Sequence, residues 1–156
     1  CGRVSHTSAL TGRANPYYEV LVERVRDLGL EDMVFFPGHI GEPERGLATC
    51  DALIKLTRQS NPWGRDIIEA LSAGIPVLTL GSFQEFIEDG VNGFIDESFD
   101  AERVADHLDK LASSEQVRQA MRTANCRKAK QLFHGPDRAR DIEAIYAHVL
   151  GTDAVA

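Results

Sequence analysis

The sequence predicts an α/β protein of the doubly wound, Rossmann-like kind, in which helices cover both faces of a parallel sheet. Short apolar runs at 33–36, 52–56, 76–80 and 93–95 alternate with segments of helical character. These runs do not alternate polar and apolar residues, which is typical of strands buried on both faces. A helical carboxyl-terminal end over 101–150 is expected to close the domain.

The first half of the chain is expected to form a helix, a strand and a short helix. A capping Asn before Pro16 and a stop signal at Gly29 predict a helix over 16–28. The apolar run 33–36 predicts a strand buried on both faces. A short helix over about 42–49 follows.

The second half repeats the order strand, loop, helix. A strand over 52–56 leads through the polar residues 57–64 to a helix over 65–73, which Gly74 ends. A third strand over 76–80 is followed by a short helical turn through Glu88, turn signals and a last strand at 93–95. Three closing helices carry apolar stripes, namely Val104/Leu108/Leu111, Val117/Met121/Ala124 and Ile142/Ile145/Tyr146/Val149.

Composition limits the classes of function. The 156 residues, 43% hydrophobic and 26% charged, suit one globular domain, so we expect 1–156 to be a single domain. A net charge of -7 disfavours nucleic acid as a partner, and no apolar run is long enough for a membrane span. Three cysteines without ligand spacing fit a reducing cytoplasm. Because the chain begins with Cys, we expect it to be a fragment of a longer protein.

The densest group of candidate functional residues lies between the second strand and the following helix. Ligands of open α/β sheets bind outside the carboxyl ends of the strands, and the first turn of a helix suits a phosphate. Arg65 and Glu69 share one helix face, where Arg65 could meet a phosphate and Glu69 could accept ribose hydroxyls. The alternative is that these two residues form only a surface ion pair and that Trp63 anchors the helix entry.

The segment 61–77 carries a specific motif. Glu69 stands eight positions after Asn61, and Ala70 and a Gly-x-Pro-Val sequence at 74–77 follow it. Together with Leu-Gly-Leu at 28–30 and the segment 85–95, this pattern resembles the carboxyl-terminal nucleotide-sugar-binding domain of GT-B glycosyltransferases. The similarity is to the retaining family 4, or glycosyltransferase group 1, and runs over nearly the whole chain.

The resemblance implies roles for individual residues. It places Glu69 on the donor's ribose hydroxyls and the loop 61–64 under the sugar and pyrophosphate. Asn61 stands where the family has a Glu, so an amide replaces a carboxylate that contacts the sugar. The full set of expected donor-binding residues is Gly38, His39, Ile40, Arg58, Asn61, Pro62, Trp63, Gly64, Arg65, Glu69 and Glu85.

The resemblance also implies a function for the longer parent protein. The parent would be a cytoplasmic, bacterial enzyme of polysaccharide biosynthesis. It would transfer a sugar with retention from a nucleotide-sugar, of UDP or GDP type, to a glycan or lipid-linked acceptor. The acceptor would bind to a missing amino-terminal domain, so the fragment alone would be inactive and no catalytic residue is assigned within it. No metal or cofactor is expected, and peripheral membrane association of the parent is left open.

Two other functions stay open at this point. The amide at Asn61 allows a non-catalytic nucleotide-sugar-binding module. A fragment of a sugar-nucleotide epimerase, which shares the GT-B architecture, is the other alternative. The histidines at positions 6, 107, 134 and 148 are expected to be surface or helix-end residues without a partner, and the basic residues of 118–130 to form a solvated helix face.

Overall fold

The computed structural model describes residues 16–38 and 40–151. Contacts divide the chain into two compact units, Cys1–Gly46 and Leu47–Ala156, and each is described by itself. The elements in chain order are α1 Pro16–Asp27, α2 Pro43–Leu47, β1 Leu53–Lys55, α3 Arg65–Ala73, β2 Val77–Leu80, β3 Gly93–Asp96, α4 Ala101–Ser113, α5 Glu115–Phe133 and α6 Gly135–Leu150.

The first unit contains the expected helix but not the expected strand. After α1 the chain turns at Gly29 (φ 64°), and the Val34 amide donates to the Leu30 carbonyl at 2.9 Å. Residues 33–36 form no strand, so this prediction is wrong. A strand needs a neighbour, and the described residues of this unit include no other strand. The run is also not buried, since Phe35 is 75% exposed.

The second unit is built on a parallel three-stranded sheet in the order β1-β2-β3. Lys55 pairs with Thr79, and Leu80 pairs with Asp96, so the carboxyl ends of all three strands lie at one edge. β1 and β3 are the two edge strands of this sheet, and Ile54 of β1 is about half exposed. The expectation of full burial therefore holds for β2 and β3 but is wrong for β1.

Helices cover both faces of this sheet, as the sequence predicts. Adjacent residues of one strand point to opposite faces, and Val77 and Leu78 accordingly join two different apolar clusters. The first cluster contains Ile67, Ala70, Leu71, Ile75, Val77, Ile87, Ile95 and Ala129. The second contains Leu78, Phe94, Leu111 and Met121. The fold is thus doubly wound, with α3 on one face and α4 on the other, while α5 contributes Ala129 to the first cluster and Met121 to the second.

Residues 82–88, after β2, contain no helical turn, contrary to the prediction. The buried side chain of Asn92 organises this segment instead. Its Oδ1 accepts from the Glu88 amide at 2.7 Å, and its Nδ2 donates to the Phe86 carbonyl at 2.9 Å. One side chain therefore makes the hydrogen bonds that a helical turn would otherwise supply.

The closing helices form as predicted, but the apolar stripe of α6 is not buried. Ile142, Ile145, Tyr146 and Val149 are all more than half exposed. At the start of α6, hydrogen bonds from His134 and then Arg140 hold the pKa of Asp137 below its usual value. Within the described ranges, no helix combines the length and the apolar character that a bilayer crossing needs.

Candidate functional site

The β1–α3 loop, residues 57–64, leaves the carboxyl edge of the sheet and carries five of the eleven predicted site residues. Its first half is held by Thr57, whose carbonyl accepts from the Ser60 amide at 3.0 Å and whose Oγ1 accepts from the Asn61 amide at 3.1 Å. Ser60 adopts φ 47°, an uncommon conformation for a residue other than glycine. The loop is therefore sharply and specifically bent, which is frequent at functional sites.

Asn61 uses one half of its amide within the loop. Its Oδ1 accepts from the Trp63 amide at 3.3 Å. That bond fixes the orientation of the side chain, because a backbone amide needs an acceptor opposite it. No hydrogen bond joins Nδ2 to another residue of 16–38 or 40–151, so Asn61 retains a donor for a ligand where a carboxylate could only accept.

Pro62 is buried against the end of the neighbouring strand, and Gly81 makes this close approach feasible. Gly81 has φ 136°, and a Cβ atom there would lie 2.8 Å from Pro62 Cδ and 2.8 Å from the Ser60 carbonyl. The Gly81 amide donates to the Asp96 carbonyl at 2.8 Å. The ends of β2 and β3 therefore support the middle of the β1–α3 loop.

Lys55 holds the far end of the loop. Its Nζ donates to the Trp63 carbonyl and to Asp66 Oδ1, both at 2.8 Å. Gly64 lies between these two acceptors at φ 143°, and a Cβ atom there would lie 2.7 Å from Nζ. The sequence analysis missed Lys55 and Asp66. A lysine inside an otherwise apolar strand run was the signal for them, because such a charge needs a partner.

Asp66 also changes the expected phosphate site at the start of α3. Its Oδ1 accepts from the Ile67 amide at 3.0 Å, so a carboxylate already lies at the first turn of the helix. The positive end of the helix dipole is thus partly compensated by the protein itself. A phosphate here would meet fewer unpaired amides than the sequence pattern suggests.

Arg65 and Glu69 form the ion pair that the surface-pair alternative describes. Arg65 Nε lies 2.6 Å from Glu69 Oε1, with the arginine largely exposed and the glutamate mostly buried. No other hydrogen bond to Glu69 comes from the described part of the chain. Its second oxygen is therefore available to a hydroxyl group even while the pair is intact, so the pair does not conflict with the predicted ribose contact.

The structure brings together only some of the predicted residues. Asn61, Trp63 and Glu69 belong to the loop and the first turns of α3, and the Trp63 side chain is 56% exposed. Arg58 and Glu85 are both exposed residues of this unit. The remaining three belong to the first unit: Gly38 (φ 72°) and Ile40 are described there, and His39 lies outside the described residues.

A second polar cluster lies at the end of β3, where the expectation for His107 is wrong. His107 is buried rather than at the surface, and its Nε2 lies 3.1 Å from Asp96 Oδ2. Its ring stacks on Phe94 with centroids 4.1 Å apart. Arg103 lies 2.6 Å from Asp96 Oδ1, out of hydrogen-bond alignment. Asp96 and Arg103 line a cleft of about 590 Å³.

The described residues contain no group of three His, Cys, Asp or Glu side chains that could hold a metal ion. Around the start of α3, Lys55 pairs with Asp66 and Arg65 pairs with Glu69. This arrangement can present hydrogen-bond donors and acceptors, together with the Trp63 ring, to a ligand from a fixed backbone.

Comparisons with known proteins identify the family of the chain. A family model described as "Glycosyl transferases group 1" matches residues 9–128. N-acetyl-alpha-D-glucosaminyl L-malate synthase of Bacillus anthracis is 26% identical over 140 residues, which are 88% of this chain and 36% of that protein. Mannosylfructose-phosphate synthase of Agrobacterium fabrum (strain C58) is 30% identical over 116 residues, 72% of this chain and 26% of that protein.

A solved structure is similar over the same region. The Anabaena protein Alr3699/HepE, crystallised in complex with UDP and glucose, aligns with a TM-score of 0.73 and 25% identity. The alignment covers 82% of this chain and 36% of that one. The chain therefore spans about a third of the length of the relatives it matches.

Proposed function

Because the chain belongs to the glycosyl transferases group 1 family, we propose that it binds the nucleotide-sugar donor in a longer enzyme that transfers the sugar. The β1–α3 loop and the first turns of α3 form the donor site in this proposal. The preorganised loop, bound by Lys55 at its end and by Gly81 beneath it, is the observation that carries it. The UDP and glucose bound by the Anabaena relative support the same ligand class.

The residues at the β1–α3 loop and the first turns of α3 have roles that their geometry permits. Glu69 accepts the ribose hydroxyls through its second oxygen, and Asn61 donates from Nδ2 to an acceptor on the sugar or phosphate. Trp63 offers an exposed aromatic face to the ligand. By the family resemblance we assign Arg58 to the diphosphate, Glu85 to the sugar, and Gly38, His39 and Ile40 to the base.

The wider activity follows the family. We propose transfer with retention of configuration, in the cytoplasm of a bacterium, to a glycan or lipid-linked acceptor of polysaccharide biosynthesis. Stabilisation of the departing diphosphate by preorganised charge is the mechanism, with no bound metal or cofactor. The acceptor binds outside the 156 residues, so this chain alone binds the donor without transferring the sugar.

The sole tryptophan of the chain, Trp63, makes the proposal directly testable. Titration of the protein with UDP, GDP and ADP is expected to change Trp63 fluorescence saturably for one nucleotide, with matching heat in calorimetry. Glu69→Gln is expected to weaken that nucleotide by about tenfold to a hundredfold, since a hydrogen bond to a charged group contributes about 1.5–3 kcal/mol.

Glu115→Gln is the matched control. It removes one negative charge and disrupts the ion pair between Glu115 and Arg118. This pair lies beside residues 74–76, which precede β2, and therefore at the edge of the sheet opposite the β1–α3 loop. Its nucleotide affinity is expected to equal that of the wild type. If no nucleotide changes Trp63 fluorescence or produces heat, the donor-site assignment is wrong.

A non-catalytic binding module is the second candidate, and the amide at Asn61 favours it. The two candidates are distinguished by assaying the longer protein. An enzyme needs an acceptor site besides the donor site, whereas a binding module does not. A longer protein that binds the nucleotide-sugar but releases no nucleotide in the presence of glycan or lipid acceptors would support the binding module.

A further inference from the structure

Lys55 is a charged residue of a β-strand whose side chain is mostly buried. Its side chain is only 14% exposed, yet it carries a charge inside an apolar run of β1. Burial of an ammonium group is costly unless acceptors surround it. Nζ has two acceptors at 2.8 Å, the Trp63 carbonyl and Asp66 Oδ1, so its cost of burial is offset by charge-assisted hydrogen bonds.

The two bonds differ in what they do. The bond to Asp66 neutralises a charge, and an apolar pair of similar volume could replace it. The bond to Trp63 instead fixes a backbone carbonyl that takes no other hydrogen bond from the described residues. Because the Trp63 amide donates to Asn61 Oδ1, Lys55 restrains the backbone segment that carries the exposed indole and that bonds to the Asn61 side chain.

We propose that Lys55 is a positioning residue for donor binding, which sets the conformation of the β1–α3 loop through the Trp63 carbonyl. This inference rests on the proposed function of the loop. A loop already fixed in its binding conformation loses less conformational freedom when the ligand binds, and so binds it more tightly. Lys55 need not touch the ligand for this effect.

Two variants separate positioning from charge neutralisation. Lys55→Met removes both bonds and leaves Asp66 unpaired, whereas Lys55→Met/Asp66→Leu removes both charges together. We expect both variants to bind the best of UDP, GDP and ADP about tenfold more weakly than the wild type, the scale of one charge-assisted hydrogen bond. We also expect acrylamide to quench Trp63 fluorescence differently in both variants, while circular dichroism shows the native helix content.

Lys128→Met is the matched control. Lys128 of α5 is 15% exposed and pairs with Glu88 of the β2–β3 segment, and no hydrogen bond or ion pair joins it to the β1–α3 loop among the described residues. Its nucleotide affinity and Trp63 quenching are expected to be those of the wild type. If Lys128→Met changed nucleotide affinity and Trp63 quenching as much as Lys55→Met does, the effect would come from general destabilisation, and the proposal would be overturned.

The decisive result is the behaviour of the double variant. Recovery of wild-type affinity and quenching in Lys55→Met/Asp66→Leu would show that Lys55 only neutralises Asp66, and the proposal would be wrong. A wild-type protein that binds none of the three nucleotides overturns the proposed function instead. In that case the positioning role is decided by Trp63 quenching alone, and unchanged quenching in Lys55→Met overturns it.

Discussion

Gly81 allows the end of β2 to approach the β1–α3 loop closely. Its φ of 136° is unfavourable for other residues, and its missing side chain leaves room for Pro62 and the Ser60 carbonyl. In the structure the close neighbour of Gly81 is the loop itself, so this glycine acts on the site through protein packing.

Gly81→Ala is expected to destabilise the protein by about 1–3 kcal/mol, because both the backbone conformation and a contact with a carbonyl oxygen become unfavourable. Urea unfolding measures the stability, and acrylamide quenching of Trp63 reports displacement of the loop. Gly90→Ala is the control, since Gly90 also has a positive φ (72°) but open space around its Cα. Equal losses and equal quenching in both variants would contradict the packing role of Gly81.

The residues of the site differ in how far the sequence could predict them. The position of Glu69 on the same helix face as Arg65 can be predicted from its spacing within one segment, because local helix geometry determines which face a residue occupies. The partner of Lys55 is eleven positions away across a loop, so the pairing depends on how that loop folds. His107 and Asp96 are likewise joined only by the packing of α4 on β3.

At the scale of elements, the pair of Asp96 and His107 joins α4 to the end of β3. Both side chains are buried, and Phe94 stacks on the imidazole from the same strand. Asp96 also accepts the Gly81 amide through its backbone carbonyl. The packing of α4 on β3 therefore affects the position of the ends of β2 and β3, which support the site.

His107→Phe is expected to cost about 2–3 kcal/mol, because the ring stacking is retained while the buried Asp96 loses a hydrogen-bond partner. Asp96→Val/His107→Phe is expected to recover most of this loss, since no buried charge is left without a partner. Urea unfolding of the wild type, both single variants and the double variant gives the coupling energy. A loss below about 0.5 kcal/mol in His107→Phe would mean that the pair contributes little to stability.

The elements themselves were predictable where their signals are local. The strands β2 and β3 and the helices α3 to α6 follow from apolar runs, stop residues and helical spacing. The strand expected at 33–36 was wrong because pairing depends on a neighbour that an apolar run does not specify. The helical turn expected before Glu88 was wrong because Asn92, four residues later, bonds back to this segment.

At the scale of the whole molecule, α6 is a helix whose apolar face the described residues leave exposed. Ile145 is 62% exposed, whereas Leu111 of α4 is 3% exposed in the second apolar cluster. Helical spacing predicts the stripe in both cases, but spacing alone does not tell which stripe is covered. The difference depends on tertiary packing and has a direct consequence for stability.

Ile145→Ala is expected to change the free energy of unfolding by less than about 0.5 kcal/mol, because little apolar surface is buried there. Leu111→Ala removes a similar aliphatic side chain from the core and is expected to cost about 2–5 kcal/mol. Urea unfolding of the protein measures both. Comparable losses in the two variants would mean that the α6 face is covered in solution.

The pairing of Lys55 with Asp66 also constrains how this sequence can change over evolutionary time. Loss of either charge alone leaves the other without its ionic partner, so the first of two replacements is the unfavourable one. An exchange of both for apolar residues passes through that weakened intermediate and also removes the donor to the Trp63 carbonyl. Position 55 of the strand and the residues of the loop are thus expected to change together during evolution. A loop sequence grafted into another protein without Lys55 would lack the donor to the Trp63 carbonyl.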